Sequence, residues 1–190
     1  MRSVSAVSSV LIFFSADKME SVADNESQAR RERFWRYAPL IAWMLLIFLA
    51  STGELSAPNT SRIVRPLLLW LFPDISEEGL IRAHFFVRKV AHFTEYAILG
   101  VFAARAFVTS SHERLRGAWF FFSLLLVVLY SLSDEYHQSF VASRTGSIYD
   151  SFIDIAGGLT ALAAFAIWRK SRSNKVKCKR QAKTTFSKML

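Results

Sequence analysis

The amino-acid sequence predicts an all-α, four-helix transmembrane bundle with an interfacial or re-entrant segment between its first and second helices. Three observations predict it. The 190 residues are 52% hydrophobic and 14% aromatic, more apolar than a soluble domain of this length needs. Four apolar stretches approach the roughly 17 to 25 helical residues, each advancing about 1.5 Å, that a hydrocarbon layer of about 30 Å requires. The formal charge of +9, from 24 Lys and Arg against 15 Asp and Glu, is crowded into the two ends of the chain. That distribution favours basic flanks beside a membrane and argues against nucleic acid as a partner. With Cys178 alone, an intramolecular disulfide and a cysteine-built zinc site are both excluded.

Residues 1–36 read as a cytoplasmic, largely disordered extension. Its apolar run Val10 to Phe14 is too short to span, and Arg2 ahead of it gives only a faint signal-peptide pattern. Met19 is an alternative start. The first span runs from about Tyr37 to Leu55, with Trp35, Tyr37 and Trp43 suited to a headgroup boundary. Ile63 to Phe72, ending at Pro73, has the length of an interfacial or re-entrant segment. Asp74 and Glu77 have the spacing of a capping box, and Leu80, Ala83, His84 and Val87 recur at helical intervals behind them.

The second span, about Val90 to Val108, carries His92, Glu95 and Tyr96 in its first turns, so a hydropathy scan underrates it. The third, Ala118 to about Ser133, opens on Trp119 and three phenylalanines and stops against Asp134 and Glu135. The fourth, Asp150 to Trp168, contains Gly157 and Gly158, which suit close helix contact. Residues 37–168 thus form the membrane domain, and 169–190 a basic, disordered cytoplasmic tail suited to anionic lipid.

Basic residues are retained on the cytoplasmic side of a membrane. Arg30, Arg31, Arg33 and Arg36 flank the first span, Arg114 and Arg116 occupy the second loop, and the tail follows Arg169. All fall on one side of a four-span path, which predicts a multi-pass protein of the cell (inner) membrane with both termini cytoplasmic. Arg88 and Lys89 are exceptions.

Charge inside a membrane helix costs about 2.5 to 3.5 kcal/mol per residue at the centre, so it persists where it is paired or used. Lys89, His92, Glu95 and Tyr96 lie three or four apart and share a helix face, with Glu95 about 8 Å inside the boundary. Ser131, Asp134, Glu135 and Gln138 have the same spacing, and Asp150 and Asp154 are one turn apart. An alternating path brings these three groups to one, non-cytoplasmic, end. Ser143, Arg144, Thr145 and Gly146 form a turn able to return the chain over them. The expectation is one polar, partly buried site at the outer leaflet; the alternative is that each charge snorkels to lipid headgroups by itself.

The motifs are Arg88-Lys89-Val90-Ala91-His92-Phe93-Thr94-Glu95-Tyr96, then Ser133-Asp134-Glu135-Tyr136-His137-Gln138, then Ser143-Arg144-Thr145-Gly146 and Asp150 with Gly157. In that order they resemble the VanZ-like membrane proteins over about Ala42 to Trp168. The chain departs from the pattern at Ala142-Ser143, where the family often has Pro-Gly, and at Asp154, where it often has Asn. The resemblance implies four membrane helices and, for the namesake, low-level resistance to the glycopeptide teicoplanin. It implies no established reaction.

Three functions follow from the residues. The first is a site that binds or modifies an amphiphilic cell-envelope molecule, such as a lipid-linked intermediate. Arg144 and Lys89 would hold its phosphate or carboxylate, with Tyr96, Gln138, Asp150 and Asp154 lining the site. His92 and Glu95, with Asp134 and Glu135, would be the acid and base candidates. The second is an ion- or proton-coupled carrier using the same carboxylates. The third is a structural or partner-binding bundle whose polar cluster is an interhelical network. A membrane lipid or lipid-linked envelope intermediate is the expected partner, and self-association is left open.

Two sharper motifs fail. Ser143-Arg144 followed by Asp150 and Asp154 has the spacing of a lipid-phosphatase signature, but Asp150 occupies the position of its nucleophilic histidine. A metal site of His92, Glu95, Glu135 and His137 has suitable ligand types, yet nearby lysine and arginine compete for the carboxylates and no HExxH pattern is present. No metal and no cofactor are expected.

Overall fold

A computed structural model of the chain describes residues 3–52, 57–140 and 148–189. Among them every regular element is a helix and none is a strand. In chain order these are α1 (Ser3–Ser51), α2 (Ala57–Leu71), α3 (Glu77–Val108), α4 (Glu113–Gly117), α5 (Trp119–Gln138) and α6 (Ile148–Met189). The chain divides into two compact units, Met1–Pro39 and Leu40–Leu190.

The first unit is helical. No glycine or proline precedes Pro39, and residues 16–36 are rich in Ala, Met, Glu, Gln and Arg, all strong helix formers. Residues 24–35 are exposed throughout. The basic tail is helical for the same reason: no glycine or proline follows Gly158, and α6 runs on to Met189.

In the second unit α3, α5 and α6 pack against one another, α3 with α6 most extensively. Residues 40–51 of α1 dock through polar side chains onto backbone carbonyls. Trp43 Nε1 donates to Glu95 O of α3 at 2.9 Å, and Tyr130 Oη of α5 donates to Met44 O at 2.5 Å. Leu40, Ile47 and Ser51, spaced seven and four apart, form the buried face of this segment.

The interior joins many small and polar residues to a few large ones such as Leu99 and Leu162, and the exterior is largely of big apolar side chains. Ala103, Ala104, Ala106, Ser123, Ser131 and Ser151 are buried, whereas Leu49, Phe121, Leu129, Phe152 and Ile167 are exposed. Such a surface suits a lipid solvent, and the small interior residues let helices approach. Glycines set the closest approach. A Cβ on Gly157 would lie 2.2 Å from the Phe93 carbonyl oxygen of α3, and one on Gly158 would lie 2.6 Å from the Val127 side chain of α5.

Among the described residues three helices are long and apolar enough to cross a membrane: Asp24–Ser51, Trp119–Gln138 and Ile148–Lys175. The predicted second span is helical but is not one of these, because His92, Glu95 and Arg105 interrupt its apolar half. The third predicted span ends too early: α5 continues through Asp134 and Glu135 to Gln138.

The cap of α3 also differs. Ser76, not Asp74, is the N-cap, and its hydroxyl accepts from Gly79 N at 3.1 Å, so no reciprocal glutamate is used. The apolar run ending at Phe72 belongs to α2, with Leu67, Trp70 and Leu71 exposed. Arg65 of α2 meets Glu77 of α3 at 2.5 Å in an exposed ion pair, which contributes about 1 kcal/mol or less.

Candidate functional site

The middle of α3, the end of α5 and the start of α6 meet. Three linked groups of polar side chains occupy the meeting point. Lys89 of α3 forms an ion pair with Asp150 of α6, both largely buried, with the ammonium 4.9 Å from the centre of the Phe85 ring. One turn further along both helices, His92 Nδ1 faces Asp154 Oδ1 at 3.3 Å. Asp154 is fully buried, and its Oδ2 accepts from Ser131 Oγ of α5 at 3.2 Å. Tyr96, one turn deeper on α3, donates its hydroxyl to Asp134 Oδ2 of α5 at 3.2 Å. The same oxygen accepts from Gln138 Nε2 at 3.1 Å, and that amide also reaches Ser51 Oγ of α1 at 3.3 Å.

The local reason for the convergence is the glycine crossing. Phe93 follows His92 directly, and Gly157 lies three residues beyond Asp154, so backbone contact between Phe93 and Gly157 brings the histidine and the carboxylate together. Helical spacing then sets the rest: Lys89, His92 and Tyr96 share one face of α3, and Asp150 and Asp154 share one face of α6.

His92, Asp134 and Asp154, one from each helix, are all buried, and one ligating atom from each lies within 4.8 Å of the others. This differs from the set weighed from sequence for a metal. Glu95 is half-buried, with its backbone carbonyl used by Trp43. Glu135 is buried without joining the trio. His137 stacks on Phe48 with ring centres 4.7 Å apart. Among the described residues, the argument that cations would take the carboxylates holds for Lys89, which engages Asp150 and not the trio.

Of the ten predicted site residues, Lys89, His92, Tyr96, Asp134, Gln138, Asp150 and Asp154 are joined by these contacts. Arg144 and the turn Ser143 to Gly146 lie outside the described residues. Sequence reasoning did not single out Ser51, Ser151 or Tyr130, and it assigned Trp43 to a headgroup boundary and not to the Glu95 carbonyl. Ser51 carried a usable signal: it falls four residues after Ile47 on the buried face of α1 and is polar at the end of an apolar stretch. Ser131 Oγ also approaches the Ser151 carbonyl at 3.4 Å.

An apolar exterior around a buried acid and histidine cluster defines a small, all-helical integral membrane protein. The chain belongs to the VanZ/LLP1 family, whose family model matches residues 34–169. No curated protein and no solved structure matches it. The family match covers every residue of the cluster and stops at Arg169, short of the basic tail.

Proposed function

We propose that this protein crosses the membrane four times, with α3 supplying the second span in chain order. Its termini are cytoplasmic, and its polar site at the outer leaflet of the cell membrane binds or modifies an amphiphilic, lipid-linked envelope molecule. The observation that supports the reading is the fully buried Asp154 beside His92, at the end of three helices whose outer faces are apolar. A lipid tail fits against those faces while its head meets the cluster. His92, Glu95, Asp134 and Glu135 are the acid and base candidates, flanked by Tyr96, Gln138 and Asp154. Because Lys89 is committed to Asp150, Arg144 is the cation assigned to a phosphate or carboxylate head. An effect on glycopeptide susceptibility follows if that molecule is a cell-wall intermediate.

A structural role is the second reading, favoured by Gln138, whose amide ties Ser51 of α1 to Asp134 of α5. Lipid profiling by mass spectrometry of deletion cells and complemented cells separates the two. The functional reading expects one envelope lipid to change several-fold on deletion. Wild-type protein restores it, whereas His92→Ala and Arg144→Ala, present in the membrane at wild-type amounts, do not. An unchanged profile, with detergent stability lowered in Gln138→Ala, supports the structural network instead.

A further inference from the structure

Two of the buried trio are carboxylates, and among the described residues their only ionisable ion-pair partner is His92. Asp134 and Asp154 are 5% and 0% exposed. Among the described residues, their hydrogen-bond and ion-pair partners are the neutral donors Tyr96, Gln138 and Ser131, together with His92. Among the described residues no lysine or arginine forms an ion pair with either carboxylate, the ion pair of Lys89 being with Asp150. Two carboxylates held away from water without a compensating charge cost several kcal/mol, and a protein normally pairs them or coordinates a metal.

A second observation is independent of that charge count. His92 Nδ1 and Asp154 Oδ1 are both buried and lie 3.3 Å apart, yet neither has a hydrogen-bond partner. A cation seated beside both atoms is attracted by each. Their separation also matches the ligand-to-ligand edge, about 3.4 Å, of a tetrahedral ion with bonds of about 2.0–2.1 Å.

The remaining oxygens are already fixed. Ser131 holds Asp154 Oδ2, and Tyr96 with Gln138 holds Asp134 Oδ2, while among the described residues Asp154 Oδ1 accepts no hydrogen bond. Supporting hydrogen bonds of this kind orient carboxylate ligands in metal sites.

We propose that His92, Asp134 and Asp154 bind a single divalent transition-metal cation of the zinc or manganese type, each supplying one ligand. One imidazole and two carboxylates suit that class, and three protein ligands leave a coordination position open. The site does not depend on which lipid the protein meets, so it is tested without one.

The test uses the full-length protein, purified in detergent, stripped with a chelator and titrated calorimetrically with Zn²⁺ and separately with Mn²⁺. About one equivalent of at least one ion is expected to bind. Affinity should fall at least tenfold in His92→Ala and in Asp154→Asn, and stay within threefold in His112→Ala, at the opposite end of α3. X-ray absorption of the zinc-loaded wild type keeps the proposal testable if those variants do not fold, and should report one imidazole among oxygen ligands. Failure of the folded protein to bind either ion overturns the proposal. So does unchanged affinity in both folded variants, or a zinc shell with sulfur or with two or more imidazoles.

Discussion

The two ends of the helical bundle are built from different chemistry. At one end, Lys89, His92 and Tyr96 of α3 meet Asp134 and Gln138 of α5 and Asp150 and Asp154 of α6 through directed polar contacts. At the other end, rings do the work. Phe107 and Phe122 meet edge to face at 6.5 Å, Trp119 meets Phe165 at 5.6 Å, and Arg169 lies 5.2 Å from the Trp119 ring. Ring contacts tolerate small shifts, because dispersion is spread over many atoms. A buried carboxylate tolerates little, because a lost partner leaves charge in a low-dielectric interior. The aromatic end therefore serves as an anchor, and the polar end is the part whose geometry must be held.

The contrast is broken most severely between the two ends, at the glycine crossing. Gly157→Ala places a methyl group against the Phe93 carbonyl, which cannot move without separating α3 from α6. It should cost more than about 3 kcal/mol, beyond ordinary overpacking. Gly158→Ala meets only the Val127 side chain, so Val127→Ala should restore much of what it loses. Reversible unfolding in mixed micelles checks both, and equal losses for the two glycine variants would contradict the geometry.

A smaller effect is expected at the polar end. Lys89→Met strands Asp150, whose side chain is 11% exposed, and should cost about 2 to 3 kcal/mol. Adding Asp150→Leu should return stability close to wild type, because the pair is then replaced by apolar packing. A double variant as unstable as the single one would show that the pair contributes more than mutual neutralisation. The smallest effect belongs to the aromatic end. Arg169→Gln removes an exposed contact between cation and ring and should shift stability by about 0.5 kcal/mol.

Much of the polar end was legible in the sequence, because the 3.6-residue period puts Lys89, His92 and Tyr96 on one face without any knowledge of the fold. Alternation of helix direction then brought three faces to one end. Which residues touch was less legible. Glu95 has the same spacing as His92 and Tyr96, but rotation of α3 about its axis, fixed by Phe93 against Gly157, leaves it half-buried and gives the centre to Asp154. The link from Gln138 to Ser51 depends on how α1 docks, which local periodicity does not encode. The terminal segments are helical, in keeping with their lack of glycine and proline.

The contact between the Phe93 carbonyl and Gly157 has a mechanical consequence. With no side chain interposed, the two rods have no cushion at that point, so neither can twist or slide without carrying its neighbour. His92 sits one residue from this fulcrum and Asp154 three. A displacement of either rod is therefore felt at once by the histidine and the carboxylate, and the spacing between them is preset by the backbone.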